Sequence, residues 1–178
     1  RIIANLNSPI AWWFGWRDAV HGKDEALRYM ASFIERFPLA VIRLDDDKQA
    51  IDLAGSVIAA TASIRNADRI LADWLRQEVG LLKLPAALTT ASRLDSSSFV
   101  TAVRAALPKR AGITPTRLAQ IRAAFAETTE PARAARAAAL GDERKLSDIV
   151  NRAYNLTPED IALMWRTAPP RMPLASPL

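Results

Sequence analysis

Apolar residues recur at steps of three and four in two long parts of the sequence, and this spacing constrains the fold most strongly. The first part has Val57, Thr61, Ile64, Asp68, Leu71, Leu75 and Val79. The second part has Leu146, Ile149, Val150, Ala153 and Tyr154. Because residues at these steps share one face of an α-helix, each part predicts a helix with a buried stripe. Asp68 is a charged interruption of the first stripe.

Three helix starts are marked by a hydroxyl residue followed directly by proline. The pairs are Ser8-Pro9, Thr114-Pro115 and Thr157-Pro158. The hydroxyl accepts a hydrogen bond from an unpaired N–H of the first turn, and proline lacks a donor which that turn cannot use. Asp160 comes three residues after Thr157, where a carboxylate completes a capping box and suits the positive end of the helix dipole.

These signals predict an all-α fold, a multi-helix bundle with one long central helix and an extended proline-rich C-terminal tail. The long helix runs from the acidic run at 45–47 to about Val79, and Gly80 is placed to end it. Residues 81–95 are expected to connect helices, and residues 168–178 to form the tail. The other helices are predicted at 8–37, as two short helices broken at His21-Gly22, and at 97–107, 115–127, 131–155 and 158–165.

The composition excludes several kinds of chemistry. With no cysteine and one histidine, His21, the chain forms no disulfide, thiolate metal site or histidine cluster. Its six glycines are scattered singly, and neither glycine-rich phosphate-binding motif occurs. The adjacent carboxylates of Asp45, Asp46 and Asp47 diverge, which favours helix capping over metal binding. We therefore expect no catalytic residue, metal or cofactor in this chain.

The hydropathy of the chain, its lack of cysteine and its first residues bear on where in the cell the protein is expected and on whether the chain is part of a longer protein. The longest apolar run, Ile10–Trp16, is too short to cross a bilayer, so no membrane contact is expected. The absence of cysteine suits the reducing cytoplasm, which is the predicted compartment. The chain opens on Arg1 inside an apolar segment, which predicts a piece of a longer protein.

Positive charge is concentrated in one stretch. The chain has a net charge of +5, whereas residues 83–126 alone carry +6, because seven basic residues face the single acid Asp95. A surface that meets phosphates has this kind of distribution, and the alternative is a solvated basic surface without a partner. The seven basic residues are Lys83, Arg93, Arg104, Lys109, Arg110, Arg117 and Arg122.

Five basic side chains are candidate contacts to a DNA backbone. Lys109 and Arg110 follow Pro108 in a predicted loop with no acid nearby, which makes them the favoured pair. Arg65 and Arg69 are one helical turn apart and lie off the apolar stripe. The neighbouring acids Asp68 and Asp73 leave two interpretations open, a grip on successive phosphates or a solvated face. The complete set is Lys109, Arg110, Arg117, Arg65 and Arg69.

The aromatic cluster near the N-terminus also has two interpretations. Trp12, Trp13, Phe14 and Trp16 form a platform for a base, or they pack a core or a seam to another domain. Tryptophans at i and i+4 favour packing.

Several stretches, taken in order, resemble the C-terminal region of adenine-specific DNA methyltransferases, particularly single-chain restriction-modification enzymes and their phage-exclusion relatives. The most specific is the run from Ala153 to Trp165, with Thr167–Pro173 after it. The family usually has glycine where this chain has Asn155, and both residues suit the left-handed end of a helix. The other stretches are Asn5–Ser8 with Trp12 and Trp13, Phe33–Pro38, Asp73–Gly80 and Leu94–Val103.

The resemblance implies a parent enzyme that uses S-adenosylmethionine and flips an adenine out of the duplex. The family's cofactor and catalytic motifs are missing here and are expected upstream of Arg1. Residues 1–43 then correspond to the end of the target-recognition region, and residues 44–178 to a helical spacer and C-terminal domain with the tail. The implied partners are double-stranded DNA and the parent's upstream methyltransferase domain. The alternative is a helical protein-interaction or structural domain without nucleic-acid contact.

Overall fold

The fold is all-α, as predicted, in a computed structural model that describes residues 2–22, 27–28, 31–108, 112–170, 172 and 174. The described part also contains two short strands, β1 (Val20–His21) and β2 (Leu27–Arg28), which pair antiparallel, and a 3₁₀ helix, Ala91–Arg93. The described α-helices are α1 (Ile2–Leu6), α2 (Pro9–Asp18), α3 (Ala31–Arg36), α4 (Leu44–Gln77), α5 (Ala86–Thr89), α6 (Ser96–Ala106), α7 (Pro115–Ala153) and α8 (Pro158–Arg166).

The predicted long helix is confirmed as α4, which has 34 residues and three carboxylates in its first turn. Beyond its end, Gly80 has a φ of +79°, in the left-handed region that glycine adopts without a steric penalty. The Leu81 N–H then donates to the Leu75 carbonyl at 3.1 Å, which satisfies one of the last unpaired helix carbonyls.

The segment predicted as a loop at 81–95 contains two short helical pieces, so that prediction was too simple. Leu88 in α5 and Ala91 at the start of the 3₁₀ helix are fully buried. Their burial stabilises helical turns in a stretch whose proline and small polar residues favour a loop when considered alone.

The prediction of two helices separated at Pro131 was wrong, because α7 is continuous over 39 residues with Pro131 inside it. Proline cannot donate to the Glu127 carbonyl, which normally ends or bends a helix. Here Phe125, Thr129 and Ala132 on the two sides of the proline are all buried, while Pro131 is exposed. Packing of the flanking turns therefore outweighs the local cost of the proline.

The predicted cap of α8 is present, and α6 has a cap at Asp95 that was not predicted. Before α8, Thr157 Oγ1 accepts from the Asp160 N–H at 3.1 Å, and the Asp160 carboxylate accepts from the Thr157 N–H at 2.9 Å. Asn155 has a φ of 55°, the left-handed conformation expected there. Before α6, the Asp95 carboxylate accepts hydrogen bonds from Ser98 and Ser97, and these hold its pKa well below the ordinary range.

The chain divides into two compact units, unit 1 (Arg1–Val57 and Leu140–Leu178) and unit 2 (Ile58–Ala139). This division differs from the boundary expected between residues 43 and 44. The reason lies inside unit 1, where Ile149 and Val150 near the end of α7 pack with Ala4 and Ala50. A contact between such distant parts of the sequence leaves no local signal at the boundary.

The core of unit 2 is built on the apolar stripe of α4. Leu71 and Leu75 are fully buried in one cluster with residues of α6 and α7. The rings of Phe99 in α6 and Phe125 in α7 stack with their centroids 4.3 Å apart. The stripe is less buried at its N-terminal end, where Val57 and Ile64 are half-buried and Thr61 is exposed.

The predicted tail is described only at residues 168–170, 172 and 174, and none of these lies in a helix or strand. Nowhere in the described part of the chain does a helix combine the length and hydropathy that a membrane span requires.

Replacing the internal proline of α7 should stabilise the protein. Pro131→Ala restores a donor for the Glu127 carbonyl, and we expect the free energy of unfolding to rise by about 1–3 kcal/mol in a denaturant titration. Pro115→Ala is the matched control, because proline at the first helical position has no missing partner. Equal effects of the two variants would contradict this account of Pro131.

Removing the cap of α8 should destabilise unit 1. Thr157→Ala deletes the oxygen that accepts from the Asp160 N–H, and we expect the free energy of unfolding to fall by about 1 kcal/mol. Thr157→Ser keeps an equivalent hydroxyl, so its free energy of unfolding should fall by much less. Thermal unfolding followed by circular dichroism compares the two.

Candidate nucleic-acid interface

The excess positive charge coincides with one compact unit. Unit 2 contains 12 basic and 6 acidic residues, a net charge of +6, whereas the rest of the chain carries −1. Charge that clusters in the sequence therefore also clusters within one folded unit. A polyanion is attracted to such a unit, with an affinity that depends strongly on salt.

Two of the five predicted contact residues, Lys109 and Arg110, lie outside the described residues, as does Arg171 of the tail. The structure therefore does not place the loop pair that sequence reasoning favoured. The remaining candidates, Arg65, Arg69 and Arg117, are described and exposed.

Arg117 has an intramolecular partner. One of its terminal guanidinium nitrogens, Nη2, donates to the Glu78 carbonyl oxygen at 2.6 Å. That carbonyl follows the last residue of α4, where a cation also complements the negative end of the helix dipole. Arg117 thus fastens the start of α7 to the end of α4.

Arg65 and Arg69 lie on the exposed side of α4 but differ in their contacts. Arg69 donates to Asn66 Oδ1 at 2.8 Å and pairs with Asp73 at 3.5 Å. Arg65 has no hydrogen bond or ion pair with any described residue. Of the two acids expected to neutralise these arginines, Asp73 forms an ion pair with Arg69 but not with Arg65, and Asp68 pairs with neither among the described contacts.

Asp68 forms hydrogen bonds to Ser92 within the fold instead of an ion pair with Arg65 or Arg69. Its carboxylate accepts from the Ser92 backbone N–H at 2.7 Å and from the Ser92 hydroxyl at 3.1 Å. Ser92 is buried in the 3₁₀ helix, and its hydroxyl oxygen also accepts from Arg136 at 3.4 Å. The charged interruption of the α4 stripe therefore supplies hydrogen bonds to an otherwise unpaired buried backbone group.

Sequence reasoning missed Arg76. It pairs with Asp73 at 2.8 Å, so Asp73 holds the guanidinium groups of both Arg69 and Arg76. The signal was available, because Arg76 follows Arg65 by 11 residues and Arg69 by seven, spacings that return to one helix face.

The other basic residues of unit 2 fall into two groups. Arg133 donates to the Leu94 carbonyl and lies over the ring of Phe125, and Arg136 donates to Ser92, so both hold the fold together. A second group is exposed and makes no hydrogen bond or ion pair with a described residue. Its members are Arg65, Lys83, Arg93, Arg104 and Arg122.

Two of the three tryptophans of α2, Trp12 and Trp13, have packing partners in the C-terminal part of unit 1. Trp12 Nε1 donates to the Pro170 carbonyl at 3.1 Å, and Trp13 Nε1 donates to Thr167 Oγ1 at 2.9 Å. The guanidinium of Arg17 lies 3.8 Å above the Trp13 ring. These contacts favour the packing interpretation over the base platform.

The remaining aromatic residues of this cluster also pack internally. Phe14 lies against Phe33 and Phe37, with ring centroids 5.9 and 5.5 Å away. Trp16 meets the His21 ring edge-on, and His21 Nε2 lies 2.8 Å from the Trp16 carbonyl oxygen. No cluster of acidic or histidine side chains suited to a metal ion occurs in the described ranges.

The fold and its charge define a helical protein with a cationic unit. The chain belongs to the family described as "Domain of unknown function (DUF8810)", whose profile matches residues 44–150. The match begins at the first residue of α4 and ends within the last turn of α7, so it includes all of unit 2. Searches among curated proteins and among solved structures found no match.

The Asp68–Ser92 contact generates a stability prediction. Asp68→Ala leaves the buried Ser92 N–H without its acceptor, and we expect the free energy of unfolding to fall by about 2 kcal/mol. Asp68→Asn keeps an acceptor oxygen and should lose clearly less. A urea titration measures both, and equal losses would show that the hydrogen bond to Ser92 is not the cause.

Proposed function

We propose that this chain is a non-catalytic C-terminal region of a DNA adenine methyltransferase, in which unit 2 binds the DNA backbone. The observation that carries the DNA-binding part is the concentration of charge in unit 2, where five exposed basic side chains lack a described partner. Unpaired surface cations release counterions from DNA when they meet phosphates, which is the main source of sequence-independent affinity.

This kind of binding positions a protein without reading bases. Contacts to phosphates fix register and orientation, whereas sequence is read at base edges or through DNA shape. Trp12 and Trp13 donate hydrogen bonds to Pro170 and Thr167, which favours packing over contact with bases. The proposal therefore assigns unit 2 a holding role, with target recognition elsewhere in the parent.

The methyltransferase part of the proposal rests on the resemblance described above. Two of its segments, the one that includes Trp12 and Trp13 and the one that includes Thr167 and Pro170, contact each other in unit 1. In the proposed parent, S-adenosylmethionine and the catalytic residues belong to an upstream domain, which is the second partner. Such a role places the protein in the cytoplasm.

A protein-interaction or structural domain is the second candidate, and one observation favours it. Large apolar side chains are exposed on unit 1, among them Val41, Leu44 and Ile51, with 85%, 86% and 54% of their surface accessible. Exposed apolar residues of this size are typical of surfaces that meet another protein or domain.

Binding to random-sequence duplex DNA tests the proposal. With about four phosphate contacts, the affinity should fall about a hundredfold between 50 and 200 mM salt. Lys109→Glu with Arg110→Glu should weaken binding further, because two candidate contacts become repulsive. Fluorescence anisotropy with a labelled duplex measures both effects.

The matched control reverses the same number of charges in unit 1, at Arg144→Glu with Lys145→Glu. Equal weakening by both double variants would show that net charge alone matters and would remove Lys109 and Arg110 from the interface. An absence of binding by the unmodified chain at 50 mM salt would contradict DNA binding and favour the protein-interaction alternative.

A further inference from the structure

We propose that the outer side of α4 between residues 65 and 76, the α4 arginine face, contacts successive phosphates of a duplex, and that Asp73 weakens this contact. The face is defined by Arg65, Arg69 and Arg76. The inference rests on the proposed DNA binding and adds which surface meets the backbone and how its affinity is set.

The three arginines form one line along the helix. At 3.6 residues per turn, their directions around the helix axis differ by about 40° or less. At 1.5 Å per residue, Arg65 and Arg76 are about 16 Å apart along the axis. A duplex carries one negative charge per about 1.7 Å of its axis, so a line of this length lies opposite several phosphates.

The core of unit 2 fixes the direction of this line. Leu71 and Leu75 are fully buried on a side of α4 that lies about 120° around the axis from the arginines. The helix therefore cannot turn its arginines inward without exposing these leucines. The side chains of Arg65 and Arg69 are both exposed, and that of Arg69 is 67% accessible.

The chemistry of the face identifies its partner. Between residues 65 and 76 the line carries guanidinium groups and no large apolar side chain, so it suits an anionic and hydrated partner rather than an apolar one. Guanidinium groups donate two parallel hydrogen bonds to phosphate oxygens, and their charge persists at all physiological pH values. The arginines follow one another by four and seven residues, about 6 and 10 Å along the helix axis, so each of them meets a different phosphate of such a partner.

Asp73 competes with phosphate for two of the three arginines. Its carboxylate lies 2.8 Å from Arg76 and 3.5 Å from Arg69, and all three side chains are at least 40% accessible. Exposed pairs of this kind are weak, so phosphates displace the carboxylate without a large loss of stability. The carboxylate nevertheless remains beside the bound phosphates and repels them.

The first experiment removes the arginines in the full 178-residue chain. Arg65→Gln with Arg69→Gln should lower the affinity for a 20-base-pair random duplex at least about fivefold. A plot of the logarithm of the association constant against the logarithm of the salt concentration should also become less steep. Its negative slope should shrink in magnitude by about 1.8, as expected for two lost phosphate contacts. Lys48→Gln with Arg144→Gln removes the same charge from exposed positions of unit 1 and should change both quantities much less.

The second experiment removes the competitor. Asp73→Asn should raise the affinity about threefold, because it releases two exposed ion pairs and deletes a repulsive charge. Glu127→Gln is the control, since it makes the same charge change at an exposed position of unit 2 that is on α7. A gain for Asp73→Asn that exceeds the gain for Glu127→Gln supports the assigned role of Asp73.

Two outcomes separate this inference from the proposed function. If the unmodified chain binds DNA but the α4 double variant and its control lose affinity equally, the α4 arginine face is not the contact surface, while DNA binding stands. If the unmodified chain binds no duplex at 50 mM salt, the proposed function and this inference fail together. Binding of polyglutamate but not of the duplex would overturn both in favour of an acidic protein partner. Circular dichroism melting of each variant checks that all are equally folded.

Discussion

Burial of Leu71 and Leu75 is the constraint on which the structure of unit 2 depends. Burying two leucines in a closely packed core contributes several kcal/mol, far more than an exposed ion pair. This burial fixes how α4 is rotated about its own axis. The direction of Arg65, Arg69 and Arg76 is therefore a consequence of packing on the other side of the helix, and it does not depend on their own weak contacts.

Net charge alone overstates the number of basic residues that a partner can reach. Arg117 and Arg133 donate to backbone carbonyls, and Arg136 donates to the buried Ser92 hydroxyl. Their positive charge contributes to the field around unit 2, but their hydrogen-bonding groups serve the fold. What distinguishes a structural arginine from a candidate contact is whether its donors bind a backbone carbonyl or a buried acceptor, rather than solvent or an exposed side chain such as that of Asp73. Only the folded structure shows that difference.

Local signals in the sequence predicted most helices, because capping and periodicity act within a few residues. The Thr157 cap, the stop at Gly80 and the buried stripe through Leu71 are of this kind. The continuity of α7 through Pro131 and the role of Asp68 depend on partners far away in the sequence. No local sequence pattern therefore predicted either feature. For the candidate site, the sequence indicated the basic stretch and two α4 arginines, but it could not show that Arg117 is engaged by the end of α4.

The most direct test of a DNA-binding face on α4 is to record the Nε–Hε signals of the arginines by NMR while a duplex is added. We predict that the signals of Arg65, Arg69 and Arg76 shift together, saturate and return when salt is raised, because these groups exchange solvent or Asp73 for phosphate. Signals of unit 1 arginines such as Arg144 should stay in place. Shifts concentrated in unit 1, or spread evenly over all arginines, would contradict it.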